Sequence, residues 1–260
     1  VNVPGLIGFI FVLIFLGILL FFGVIRSKVQ EMHFRDIPAF ARIQRAIGLS
    51  VEDGSRLHFS LGRGPMNAIE SAVTFVGLRM LERVTRIISI SDRLPVVTSG
   101  DGAVNVLSQD TLQSTYRDLG EEAQYDPAAG RLTGPTPFSF VGGIVPIVSD
   151  EQVSASVLIG HFGSEVAYIT DAAERSNGAT LAGTDDLGGQ AVLYAAADEP
   201  LIGEEVYAGG YYLGAGSMHA ASLKTQDIFR WVIIVIILLG ALLKLAGMEN
   251  ILLSLLMGGA

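Results

Sequence analysis

The chain has 260 residues, is 50% hydrophobic with a mean hydropathy of +0.50, and carries a formal charge of −9. So acidic a balance argues against nucleic acid as a partner. The absence of cysteine agrees with a reducing compartment.

The apolar excess sits at the two ends. Residues 4–25, PGLIGFIFVLIFLGILLFFGVI, carry no charge. At about 1.5 Å rise per residue such a run crosses a hydrocarbon core of about 30 Å. It lacks a basic leader and a small-residue cleavage site, so a retained anchor is expected rather than a signal peptide. Asp36 and Pro38 then mark a helix start, and IPAFARIQRAIG continues it to Gly48. Residues 49–54 read as a loop and RLHFSL as a strand. A long helix is expected from Pro65 to about Ser89, with Ile69, Val73, Val76, Met80, Val84 and Ile87 on one apolar face. Arg79, Arg83 and Arg86 fall elsewhere on it and read as a solvated stripe.

PVVTSG (95–100) reads as a buried strand, followed by a helix from about Val104 to Leu119 closed by Gly120. Residues 121–137 read as an irregular excursion, and FSFVGGIVPIVS (138–149) as a buried, distorted helix. ASVLIG (155–160) is the next strand. A helix with Ser164 as N-cap runs to Gly178. ATLAG (179–183) and AVLYAA (191–196) read as two more strands, and LIGEEVYAGGYYLGAG as a helix. Residues 229–248 form a second span, with Arg230 and Trp231 at its near interface and Lys244 able to snorkel at its far end. The apolar tail, residues 249–260, is too short to span and is expected at the interface or packed between subunits.

Continuous apolar strands alternating with helices, without hairpin signals, call for a parallel sheet covered on both faces. Basic residues cluster between the spans, at Arg26, Lys28, Arg35, Arg42 and Arg45 after the first and at Lys224 and Arg230 before the second. The positive-inside rule therefore puts residues 26–228 in the cytoplasm of a cell-membrane protein, with both termini outside. Residues 26–93 hold 11 Lys/Arg against 7 Asp/Glu, whereas residues 94–227 hold 4 against 18. Either the basic part lies by anionic lipid, or basic and acidic faces of neighbouring subunits meet. Glycines in both spans permit close helix packing.

In an open parallel sheet, ligands bind beyond the carboxyl ends of the strands. Five such tips are expected, ending at Gly62-Arg63-Gly64, Ser99-Gly100-Asp101, His161 to Glu165, Gly183 to Asp186, and Ala197 to Pro200. Gly62, Arg63, Gly64 and Asn67 form G-x-G-x-x-N, one glycine short of the dinucleotide fingerprint. Arg63 can meet a phosphate there, and Asn67 lies beside it. Ser99, Asp101, Ser164 and Asp185 complete the candidate ligand-binding set. The acidic tips read equally as helix caps, and no metal motif with fixed spacing is present. His161 has no neighbouring His or Cys for zinc. No Walker lysine and no nucleophile elbow occur. No catalytic residue or cofactor follows from these motifs.

The segments IPAFARIQRAIG, LHFSLGRG, VLIGHFGSE, LAGTDD and EEVYAGGYYLGAG, in that order, resemble a family of uncharacterised prokaryotic membrane proteins, a domain of unknown function. That resemblance implies an anchored α/β domain and carries over no functional residue. The expectation is a Rossmann-like α/β domain, a parallel sheet with helices on both faces, flanked by two transmembrane helices in contact with the bilayer. Its leading functional reading is a self-associating, non-enzymatic scaffold of a membrane assembly. Two others stand beside it: a tethered enzyme or sensor binding a nucleotide or phosphorylated small molecule at the strand tips, and an accessory subunit of a larger membrane complex.

Overall fold

The computed structural model describes residues 3–26, 34–68, 70–91, 93–214 and 217–245. The chain divides into two units: residues 1–34 with 216–260, and residues 35–215. Ile69, the linker residues 27–33 and the tail expected at 249–260 lie outside the described residues.

Apart from Phe34, the described residues of the first unit are helical. Helix α1 (Val3–Leu20) runs into a π-helical turn at Phe21–Arg26 and packs against α9 (Ser217–Leu245). Phe229 of α9 lies 4.8 Å from the Phe11 ring and 5.5 Å from the Phe15 ring, between centroids. A side chain at Gly23 would meet Met218, so glycine permits the close approach there. Residues Met218–Leu245 form the one described helix long and apolar enough to cross a membrane, and none of its apolar window is buried. Residues 8–24 form a shorter apolar helix.

The second unit is an α/β fold around six parallel strands in the order β3-β2-β1-β4-β5-β6. The strands are β1 (Arg56–Gly62), β2 (Val96–Ser99), β3 (Gly130–Leu132), β4 (Val153–His161), β5 (Ala179–Gly183) and β6 (Glu199–Leu201). This is the strand order of doubly wound nucleotide-binding folds, whose direction reverses between β1 and β4. Helices α2 (Pro38–Glu52), α3 (Ser71–Ile88) and α4 (Gly102–Asp118) pack on the sheet and on one another. Helices α5 (Pro137–Asp150), α6 (Val166–Arg175) and α7 (Leu187–Ala196) close a separate core layer, in which Phe140, Ile144, Val166, Ile169 and Leu193 meet Leu158 and Ala182 of the strands.

The central strands carry polar side chains inside this apolar frame. Registry puts Ser156 beside His58 and Thr98 beside Ser60, all four fully buried. His58 Nε2 is 2.9 Å from Thr98 Oγ1, while His58 Nδ1 has no partner among the described residues. Burial, above the opposing fields of Glu151 and Arg131, pushes the His58 pKa down to about 3. Glu151 accepts from Arg131 and Arg56. The Arg131 hydrogen bond foremost, with Arg56, holds its carboxyl below the usual range against the effect of burial.

Several elements differ from the sequence reading. The long helix starts at Ser71, not Pro65, because the described residues Arg63 to Ala68 and Glu70 form turns and loop. Gly48 does not end α2; the helix stops where Gly54 adopts φ +64. AVLYAA is helix rather than strand. The Asp186 carboxylate caps α7 by accepting from Gly189 N at 2.7 Å, and only Leu193 of that run is buried. A short apolar run does not by itself distinguish the two. The strand in this region is β6, at the sheet edge, where Pro200 is tolerated despite lacking an N–H. The other edge, β3, lies within the segment read as an excursion. The expected final helix begins as a 3₁₀ segment, Gly203–Ala208, before a single turn at α8 (Gly209–Tyr212).

Candidate functional site

The carboxyl ends of β1, β2, β4 and β5 gather the predicted tips. Gly62 has φ +72, and a Cβ there would sit 2.6 Å from the backbone N and O of His161. Glycine is thus required twice over, by its dihedral and by the β4 backbone beside it. The loops are stitched by backbone hydrogen bonds from Arg63 N to His161 O (3.0 Å), Gly100 N to Gly62 O (2.9 Å) and Thr133 N to Ser99 O (3.0 Å). A Cβ at Gly64 would lie 2.8 Å from His161 Cβ, and one at Gly100 would lie 2.6 Å from Arg63 Cβ. The glycine-rich turn therefore spends its freedom on packing chain against chain. Pro65 is a loop residue, and the α3 N-terminus lies several residues beyond the turn, so the phosphate cradle of a dinucleotide fingerprint is not built here.

Arg63 turns to the loop between β4 and α6, where its Nε donates to Glu165 Oε1 at 2.6 Å. The same oxygen accepts from Gly163 N at 3.1 Å. Burial pushes the Glu165 carboxyl up, but hydrogen bonds from Arg63 and the backbone outweigh it, and its pKa lies below the usual value. His161 Nδ1 is 2.8 Å from Asp185 Oδ1. Thr184, fully buried, accepts from Phe162 N and donates to Phe162 O, joining the β4 and β5 tips.

The candidates separate accordingly. Gly62, Arg63, Gly64, Ser99, Asp101, Ser164 and Asp185 all lie at this rim. Asp101 is the N-cap of α4, accepting from Ala103 N and Val104 N, both at 3.0 Å. Ser99 donates to Asp101 O at 3.4 Å. Asn67 is exposed in the loop and makes no hydrogen bond among the described residues. Ser164 does not cap α6; Glu165 holds the N-cap position, without a side-chain cap bond. The expected fifth tip is misplaced. Asp198 precedes β6 and accepts from Thr180 N at the start of β5, at the opposite end of the strands. Glu199 pairs with Arg42.

With architecture and rim in view, the matched family is a domain of unknown function, DUF6754, aligned over residues 1–254. The chain belongs to DUF6754. No curated protein and no solved structure matches it.

What the tips of the DUF6754 domain missed as sequence are pairings. Glu165 orients Arg63 across 102 positions of chain, and Asp185 orients His161 between the tips of the successive strands β4 and β5. Also unforeseen are Phe138 and Tyr168, which stand exposed at the starts of α5 and α6. Aromatic residues in apolar helices read as core, and only the packing shows these two outside it. No cluster of His, Asp and Glu among the described residues is arranged to hold a metal ion.

Proposed function

We propose that this DUF6754 protein is a prokaryotic cell-membrane scaffold: two membrane helices anchor a cytoplasmic, non-enzymatic Rossmann-like domain that self-associates. The exposed face of α7 carries this reading. The helix has no charged side chain; Leu187 is 81% and Tyr194 75% exposed, with exposed Ala191 between them. Spacings of four and three put these residues on one stripe. Uncharged apolar stripes at a soluble surface mark contact sites. The closed glycine turn supports a structural role for the domain. The contact of α1 with α9 through Phe11, Phe15 and Phe229 supports the first span as partner of the second. The basic residues following residue 25 support the cytoplasmic placement.

Mass measurement of the full chain in mild detergent tests this reading. It expects a discrete oligomer that Leu187→Glu with Tyr194→Glu disperses; a monodisperse wild-type monomer overturns it. A second reading, a sensor or enzyme taking a phosphorylated small molecule at the rim, is favoured by the Arg63 guanidinium, which spends only Nε on Glu165. Ligand-induced thermal shifts test that one.

A further inference from the structure

Between the first turns of α5 and α6, the rim opens into a cleft of about 460 Å³ lined by Pro137, Phe138, Ser164, Glu165, Ala167 and Tyr168. That volume suits a small organic ligand. The rings of Phe138 and Tyr168 face outward, while the inward sides of both helices are filled by Phe140, Ile144, Val166 and Ile169. Neither exposed ring is needed for the core, and each offers a stacking face.

The cleft also holds a carboxylate. The Glu165 side chain is 7% exposed. Its Oε1 takes Arg63 Nε and Gly163 N, while Oε2 bonds no other residue among those described. A carboxylate oxygen accepts more than one hydrogen bond, so this one can take a hydroxyl or N–H from a ligand. A Cβ on Gly163 would lie 2.6 Å from this oxygen and 3.5 Å from Arg63 Nη2. Glycine at 163 thus keeps a path open between the acceptor and the guanidinium. The terminal nitrogens of Arg63 make no hydrogen bond among the described residues.

The lining thus offers stacking faces and a hydroxyl acceptor, and Arg63, outside the lining but bonded to Glu165, adds a cationic fork. We propose that this cleft binds a nucleoside phosphate, with the base between Phe138 and Tyr168, a ribose hydroxyl on Glu165 Oε2 and the phosphate on Arg63. The place is the reversal point between β1 and β4, where open parallel sheets take their ligands. The contacts come from the starts of α5 and α6 rather than from the closed glycine turn. This site rests on the ligand-binding reading of the rim and is independent of self-association.

Calorimetric titration of the full chain in detergent with AMP, GMP, CMP, UMP, adenosine and inorganic phosphate tests it. At least one nucleotide is expected to bind about tenfold or more tightly than inorganic phosphate, and for AMP more tightly than adenosine. Arg63→Gln is expected to erase the preference for AMP over adenosine. Phe138→Ala with Tyr168→Ala is expected to weaken nucleotide and nucleoside alike by about tenfold or more, on the scale of lost base stacking. Both rings are exposed, so the double variant is expected to melt as wild type does, which a thermal scan checks. Phosphate-dependent binding unchanged by loss of both rings leaves an anion site at the rim and overturns the nucleoside assignment. Absence of binding by every nucleotide at about 5 mM, weaker than any useful affinity, overturns both.

Discussion

Acid should unfold the α/β domain through His58. The side chain is fully buried between β2 and β4, and its pKa falls from an ordinary 6.5 to about 3 in the folded state. Below pH 6.5 the unfolded chain binds a proton that the folded chain refuses, so stability falls as the pH drops from 6.5 toward 3 and is fully present above 6.5. At about 1.4 kcal/mol per pH unit for one proton, the whole interval is worth on the order of 5 kcal/mol. That is comparable with the entire stability of many domains, about 5–15 kcal/mol. Urea unfolding of the full chain in nonionic detergent, followed by circular dichroism between pH 7.5 and about 4, measures it against His58→Gln. The variant is expected to be weaker at neutral pH by about 1–3 kcal/mol, from a disturbed Thr98 contact and imperfect packing. It should lack the His58 share of the acid slope, so the two curves converge as pH falls. Parallel curves, or a His58 resonance that titrates near 6.5, would refute the reasoning.

Other changes have defined costs. Gly62→Ala forces a side chain into a φ of +72 and against the β4 backbone, and is expected to cost at least about 2 kcal/mol by denaturant midpoint. Gly102→Ala, where a Cβ meets nothing within 4 Å, is expected to be neutral or stabilising by up to about 1 kcal/mol. Asp101→Ala removes the acceptor for two α4 amides and is expected to cost about 1 kcal/mol. Glu151→Gln removes a charge that Arg131 and Arg56 stabilise. Its folded pKa is depressed, so the wild-type advantage is present above the ordinary carboxylate pKa and is lost as pH falls through the folded value, which the same pH series reads.

The parallel sheet is legible because β1, β2, β4 and β5 are short, largely apolar, uncharged runs beyond Arg56, closed by glycine or polar tips. The edges were not. Residues 130–132 and 199–201 are too short to show a period, and Pro200 argues against a strand unless its edge position is known. AVLYAA reads as strand because its helical signature begins five residues earlier, with the Asp186 cap. At the site, Arg63 was readable as a charged group on a strand tip. Its partner was not, because Glu165 lies 102 positions away and reaches Arg63 only through the adjacency of β1 and β4. His161 and Asp185 illustrate the same limit, since registry between β4 and β5 is a property of the folded sheet.

The two outermost strands bear on the proposed self-association. Each offers only three residues, and one of them is interrupted by an imino acid that cannot donate. A ladder continuing from molecule to molecule needs a longer row of free amides and carbonyls than either border supplies. Growth by strand addition is therefore blocked at both borders. The self-association proposed above would then use helical surfaces, which sets the closest approach of neighbouring sheets at a helix layer rather than at a strand spacing of about 4.8 Å.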